Sequence, residues 1–330
     1  MERSPRNILV LSLKYLGDVI AATPAFRGLN ESFPDAKITV ALRTGYEEVL
    51  AGNPHINDII PINRSHRTFF DELKTIAMIR KNKYDMIIAM EPGDRESLWA
   101  FFGGAKKRIA PAYQPLEFLW SIRVPIREES ISYIEYYNKI AQAAGARISS
   151  EKTEIFISAE AVQWADKFLK NIHVDGKTLI GIHPGAREAN RRWSPQKFAE
   201  LIGSLHMHGD NHIVLMCGRG EQRLLDEILS FSGTHPSLSL APDLSIQQTA
   251  ALMQRCALCI TNDSAPRHIA VAVGSKTVSI ISPSKVRAWS LYDPENHPLL
   301  VGNGADPQSL VKSVSTEEVY AVIEKMLAKL

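Results

Sequence analysis

The chain has 330 residues, of which 45% are hydrophobic and 22% charged, and carries a formal net charge of +2. That length suits two domains with separate cores, and the ordinary composition excludes a disordered or low-complexity chain. Charge is shared almost evenly along the sequence, which excludes a polycation built for nucleic acid.

The first apolar run, residues 8–13, is far too short to span a membrane and lacks a signal-peptide cleavage region, and no spanning segment follows it. Short β-branched runs at 8–13, 37–42, 58–62, 86–90 and 108–110 predict strands, with helical patterns near 19–32, 67–82 and 131–144 between them. This rhythm predicts an α/β fold with a parallel sheet and crossover helices. A polar stretch at 145–153 and a helix at 159–170 lead into a second series, so the expected domains are 1–158 and 159–330. In the second domain the predicted strands are 179–183, 212–217, 238–240, 258–261 and 277–281. Helical patterns lie near 195–207, 220–230, 246–255 and 265–273. The last helix, 316–330, could pack on either domain, the first included. Three cysteines, Cys217, Cys256 and Cys259, suit a reducing cytoplasm. The C-x-x-C of Cys256 and Cys259 does not open a helix, where a reactive thiolate would be stabilised, so no redox or metal role is assigned to it.

Open parallel sheets bind ligands beyond the carboxyl ends of their strands, and four loops there carry chemistry. In Lys14-Tyr15-Leu16-Gly17-Asp18 a single glycine replaces the G-x-G-x-x-G that a dinucleotide pyrophosphate needs, which argues against a nicotinamide oxidoreductase. Asp18 reads either as a helix cap or as a general base. The loop 183–195 joins His183, Gly185, three arginines and a Ser194-Pro195 helix start, and suits either a diphosphate or plain solvation. In the third, Cys217-Gly218-Arg219-Gly220-Glu221, Glu221 could accept ribose hydroxyls or interact with a helix dipole. The fourth, Thr261-Asn262-Asp263-Ser264-Ala265-Pro266-Arg267-His268, offers Asp263 or Ser264 as a cap and an anion nest of free amides. His268 is either a ligand contact or structural.

Together LGDVIAATPAFRGL, FPDAKITVAL, NPHINDIIPI, HPGA, RRWSPQKFAEL, CGRGE and TNDSAPRHIAVAVG resemble glycosyltransferase family nine, the heptosyltransferases, over nearly the whole chain. The K-Y-x-G-D form of the first loop is most similar to the heptosyltransferase III branch. The resemblance implies the GT-B fold, two Rossmann-like domains with parallel sheets facing across a cleft. It implies inverting transfer of heptose from ADP-heptose to the inner core of lipopolysaccharide. It also implies an enzyme of the cytoplasm, peripheral at the inner membrane. Carried over by position, Asp18 is the catalytic base. The donor contacts are His183, Gly185, Arg191, Glu221, Leu244, Asp263, Ser264, Ala265 and His268, with Leu244 lining adenine. Lys14, Arg64, Arg67 and Arg123 are expected to hold the phosphorylated lipid A acceptor, although the segment 64–67 also reads as an exposed polar connection. Ala265 replaces a usual glycine, where a positive backbone angle would be uncomfortable. No two aspartates stand two residues apart, so the D-x-D metal pair of other glycosyltransferases is missing, and no metal or cofactor is expected. The alternatives are a family-nine transferase using another nucleotide sugar and a non-catalytic sugar-binding assembly protein.

Overall fold

A computed structural model describes residues 4–65, 68–127, 131–174, 176–207, 210–283, 286, 292–303 and 310–329. The chain divides into two compact units, Met1–Glu154 and Ile155–Val286 with Tyr292–Leu330. The division falls a few residues before the expected boundary at 158/159.

The first unit holds β1 (Asn7–Ser12), α1 (Leu16–Ala21), α2 (Thr23–Ser32), β2 (Lys37–Arg43), β3 (Asp58–Ile62), α3 (Phe69–Asn82), β4 (Met86–Ala89), α4 (Asp94–Gly103), β5 (Lys107–Pro111), β6 (Ile122–Val124) and α5 (Tyr133–Ala144). Ile8 to Leu11 are buried on both faces of their strand, as expected where helices cover both sides of a parallel sheet. The single helix expected at 19–32 is two, because Pro24 has no N–H to donate and suits only a first turn. Ala22 therefore ends α1 and caps α2.

The second unit holds α6 (Ala159–Asn171), β7 (Thr178–His183), α7 (Pro195–Met207), β8 (Asn211–Gly218), α8 (Gln222–Ser232), β9 (Leu238–Leu244), α9 (Ile246–Arg255), β10 (Leu258–Asn262), α10 (Ala265–Ala272), β11 (Lys276–Ile281), β12 (Leu299–Val301) and α11 (Thr316–Leu327). Helix α11 buries Val319, Ile323 and Met326 in the core that surrounds Trp193 and Phe198. That face belongs to the core of the second unit.

The sheet orders are β3-β2-β1-β4-β5-β6 and β12-β11-β10-β7-β8-β9, parallel throughout. Read in chain order within each unit, both are the doubly wound order 3-2-1-4-5-6. Strand order reverses between β1 and β4 in one sheet and between β7 and β10 in the other, and ligands of such sheets bind at that reversal. The first, second and fourth loops singled out above follow β1, β7 and β10, so three of the four stand at a reversal point. Among the described residues, no helix is long and apolar enough to cross a membrane.

Candidate functional site

In the first unit the loop after β1 turns directly into α1. The cap position of that helix is Tyr15, extended at φ −122°, ψ 166°, and no side chain caps it. Asp18 is the third helical residue, nearly fully buried, and its Oδ1 accepts a hydrogen bond of 2.7 Å from the Tyr137 hydroxyl of α5. Asp18 is therefore not the N-cap residue of α1, a position held by Tyr15, and its carboxylate is engaged by a phenol from α5. Tyr137 stacks on Tyr133 with ring centroids 6.0 Å apart, and the Lys14 ammonium lies 5.9 Å over the Tyr133 ring.

Across the reversal point, just beyond β4, Glu91 is buried too. Its Oε2 accepts from the Leu13 N–H at 3.1 Å, while Oε1 has no hydrogen-bond partner among the described residues. Burial, and then the neighbouring Asp18 charge, raise the Glu91 carboxyl to about 8 against the opposing pull of Lys14 and the Leu13 amide. One switch point thus gathers two carboxylates, a lysine and a tyrosine. Neither Glu91 nor Tyr137 stands out in the sequence.

The expected acceptor residues are less united. Arg64 Nη1 pairs with the buried Glu96 Oε1 at 2.5 Å. Exposed Arg123 lies 3.9 Å from Glu117 instead, and Arg67 falls outside the described residues.

In the second unit Asn262 ties two loops together. At the end of β10, fully buried, its Oδ1 accepts from the Trp193 N–H at 3.0 Å and its Nδ2 donates to the Pro184 carbonyl at 2.6 Å. Trp193 is itself buried, with its indole N–H on the Val314 carbonyl at 2.9 Å. Asn262 therefore fixes the path from β7 to α7, which begins at Pro195 as expected. Asn262→Ala leaves both backbone groups unpaired and should destabilise the protein by about 2–6 kcal/mol, since each orphaned buried group costs about 1–3 kcal/mol. An unchanged urea midpoint with an unchanged slope would show that the staple contributes nothing.

The His183 Nδ1 accepts from the Gly185 N–H at 3.3 Å, and burial pushes this imidazole down to about 4, so it is neutral and shapes the turn. Gly185 is required by what lies above it: a Cβ there would stand 2.4 Å from Glu221 Oε2 and 2.5 Å from Oε1. Glu221 occupies the cap position of α8, and its Oε2 accepts from Gly218 N–H at 3.2 Å. Burial raises its carboxyl against that hydrogen bond and the Arg192 charge. A hollow of about 340 Å³ adjoins it, lined by Arg192, Gly220, Glu221, Arg223, Leu224 and Glu227. Leu244 is buried, paired in the sheet with Gly218. The Gly220 N–H donates to the side chain of Asp243, which takes a left-handed backbone at φ 54°.

Arg191, on a short 3-10 turn (Ala189–Arg191), lies 3.1 Å from Glu188 and 3.8 Å from the buried Asp263 Oδ2, so the second and fourth loops meet through charge. Ser264 takes the cap position of α10, one of the two residues expected there, without a cap bond from its side chain. Ala265 is the first residue of α10, and its φ is not positive. The strain expected from the missing glycine does not arise. His268 is buried with Nδ1 on the Tyr292 hydroxyl at 2.7 Å, and burial and the Arg267 charge hold it well below its usual value. Arg267 is buried as well, with its guanidinium 5.1 Å over the Tyr292 ring and supported by the Asp263 charge. Among the described residues, no group of three His, Cys, Asp or Glu is placed to hold a metal ion.

Residues 73–319 match the family model described as "Glycosyltransferase family 9 (heptosyltransferase)". The chain is 25% identical over 335 residues to lipopolysaccharide heptosyltransferase 3 of Escherichia coli (strain K12), with 96% of each chain covered. It is 24% identical over 293 residues to lipopolysaccharide heptosyltransferase 2 of the same strain, with 84% and 83% covered. Among solved structures, the glycosyl transferase family 9 protein of Veillonella parvula DSM 2008 superposes with a TM-score of 0.87 at 22% identity over 100% and 99% of the two chains. The E. coli ADP-heptose lps heptosyltransferase II does so with a TM-score of 0.80 at 20% identity over 98% and 99%. These likenesses show the fold, the two Rossmann-like units of the GT-B class.

Proposed function

The chain belongs to glycosyltransferase family 9, and from that premise we propose that it transfers heptose from ADP-heptose to the inner core of lipopolysaccharide, with inversion and without a metal ion. The observation that carries this reading is Asp18, a buried carboxylate in the first turn of α1 at the switch point, which accepts a hydrogen bond from Tyr137. In the proposed reaction Asp18 takes the proton of an acceptor hydroxyl as that oxygen forms its bond to the anomeric carbon. The bond from that carbon to the diphosphate breaks in the same displacement, which inverts the centre, and its electron pair leaves with ADP. Arg191 and the positive N-terminal end of α10 offset the charge that develops on the leaving diphosphate, and Glu221 accepts from the ribose. Lys14 and Arg64 take the anionic acceptor, and we place the enzyme at the cytoplasmic face of the inner membrane.

The test is transfer from ADP-heptose to a core acceptor, followed by mass spectrometry of the product with and without exhaustive chelation. Product of the added heptose mass should form in both. Loss that a divalent ion alone restores would overturn the metal-independent mechanism, and no product from either reaction would overturn the activity.

Arg191→Ala should weaken ADP binding by about 1.5–3 kcal/mol, the range for a hydrogen bond to a charged group. The substitution also leaves the Asp263 charge facing the phosphates without its arginine, which acts in the same direction. Calorimetry that gives equal ADP affinities would remove Arg191 from the donor site.

A further inference from the structure

Helices α3 and α4 lie side by side on one face of the first sheet. The Trp99 indole donates to Glu72 at 2.7 Å, Arg95 reaches Glu72 at 3.6 Å and Arg80 reaches the Phe102 carbonyl at 3.5 Å. Their inward faces bury Ile79, Trp99 and Ala100. Their outward faces are also apolar. Phe69 and Phe70 are 72% and 71% exposed, Leu73 continues their row, and Phe101 and Phe102 stand exposed on α4, with Phe118 at 73% in the adjoining turn. Two exposed aromatic pairs thus stand on this face, Phe69–Phe70 at the start of α3 and Phe101–Phe102 at the end of α4, more than the scattered single apolar residues that a surface ordinarily carries.

Charge identifies the occupant. Lys74, Arg80, Lys81 and Lys106 are exposed around these rings, and the Arg108 guanidinium lies 5.7 Å over the Phe101 ring. The acidic groups of the same helices are mostly turned to internal duties. Asp71 closes the capping box of α3, Glu72 accepts from Trp99, and Glu96 is buried against Arg64, which leaves Asp94 as the exposed exception. Aromatic rings rimmed by lysine and arginine match the interface of an anionic bilayer, where rings enter the boundary of head groups and acyl chains and cations meet phosphates. A second copy docked on the same patch would set like charges against each other.

We propose that the α3–α4 face, through Phe69, Phe70, Phe101 and Phe102 and the basic rim, is the surface by which this protein sits on an anionic lipid bilayer. The inference extends the transfer reading, in which the acceptor is carried by lipid. Phe69 and Phe70 open α3 only a few residues after Arg64, so a bilayer on this face lies close to the segment assigned to acceptor phosphate.

The test is flotation of the full chain with vesicles of phosphatidylethanolamine and phosphatidylglycerol, against vesicles of phosphatidylcholine alone. Wild type should float with the first and not the second, and high salt should weaken the association. Phe69→Ser with Phe70→Ser, and Phe101→Ser with Phe102→Ser, should each reduce flotation by at least about tenfold. Arg80→Gln with Lys81→Gln should reduce it several-fold and flatten its salt dependence. All these side chains are exposed, and circular dichroism of each variant should match wild type. Transfer to a soluble, delipidated core oligosaccharide should be unchanged in all three variants. Equal flotation of wild type and the phenylalanine variants, or no flotation of wild type, would overturn the proposal, as would a wild-type dimer in sedimentation that the serine pairs dissolve. Failure of the transfer reading appears separately, as no product from the soluble acceptor by wild type while flotation persists.

Discussion

Asp18→Asn is expected to lower turnover by about 10²–10⁴-fold, the range for a lost general base, while leaving the melting temperature and donor affinity near those of wild type. Asparagine keeps an oxygen at the position that accepts from the Tyr137 hydroxyl. The N-cap position of α1 is Tyr15, so the substitution does not change the cap residue, and asparagine keeps a side-chain oxygen in the first turn. The neutral amide cannot take the acceptor proton, so chemistry is the step that fails. Measuring turnover at saturating acceptor, ADP-heptose affinity and melting temperature on one preparation separates lost chemistry from lost fold. Turnover within about threefold of wild type, far short of that range, would assign the base elsewhere.

Glu91→Gln should reshape stability against pH. Burial and the Asp18 charge raise the Glu91 carboxyl to about 8 in the folded protein, against 4.5 for the unperturbed group. Below the unfolded value both states hold the proton and Glu91 exacts no penalty. As pH rises from there towards 8 the unfolded chain has lost its proton and the native state still holds it, so stability falls across that window and levels off above it. At about 1.36 kcal/mol for each pH unit, the accumulated loss is on the order of 5 kcal/mol. Glutamine carries no charge at any of these values. The variant should therefore match or fall slightly below wild type near pH 5, where its second amide hydrogen adds a buried donor, and should be the more stable protein near pH 9. Urea midpoints for both proteins at the two pH values decide the matter. Parallel curves would mean that Glu91 titrates normally.

The sequence carries the alternating strands and helices because most strands are buried on both faces and most helices have one polar face. Helix α4 escapes that reading, since D-R-E-S-L-W-A-F-F-G places aromatics on its outer face as well as its inner one and leaves no clean apolar stripe. Strands β6 and β12 escape it as well, being three-residue edge strands with no alternation to read. Of the site, Asp18, Arg191, Glu221 and the turn at Asp263 are legible because they stand in loops after strands. Tyr137, Glu91 and Asn262 are not. Their roles depend on partners 119, 78 and 69 residues away, and a side chain that acts only through a distant partner leaves no local pattern.

The shared strand order has a consequence for how the chain is made. In the first sheet β1 is central, yet it is synthesised first and cannot be flanked on both sides until β4 emerges, 78 residues separating the Leu13 amide from the Glu91 carboxylate that secures it. Parallel neighbours cannot zip from a hairpin, so each such pairing waits on a long loop closing, which makes this a slow step in folding. Every strand and helix of the first sheet nevertheless precedes Ile155. On a ribosome that half can complete its sheet and bring Asp18 and Glu91 together before β7 has been translated, so the second sheet meets its own long closure beside a finished neighbour rather than in competition with it.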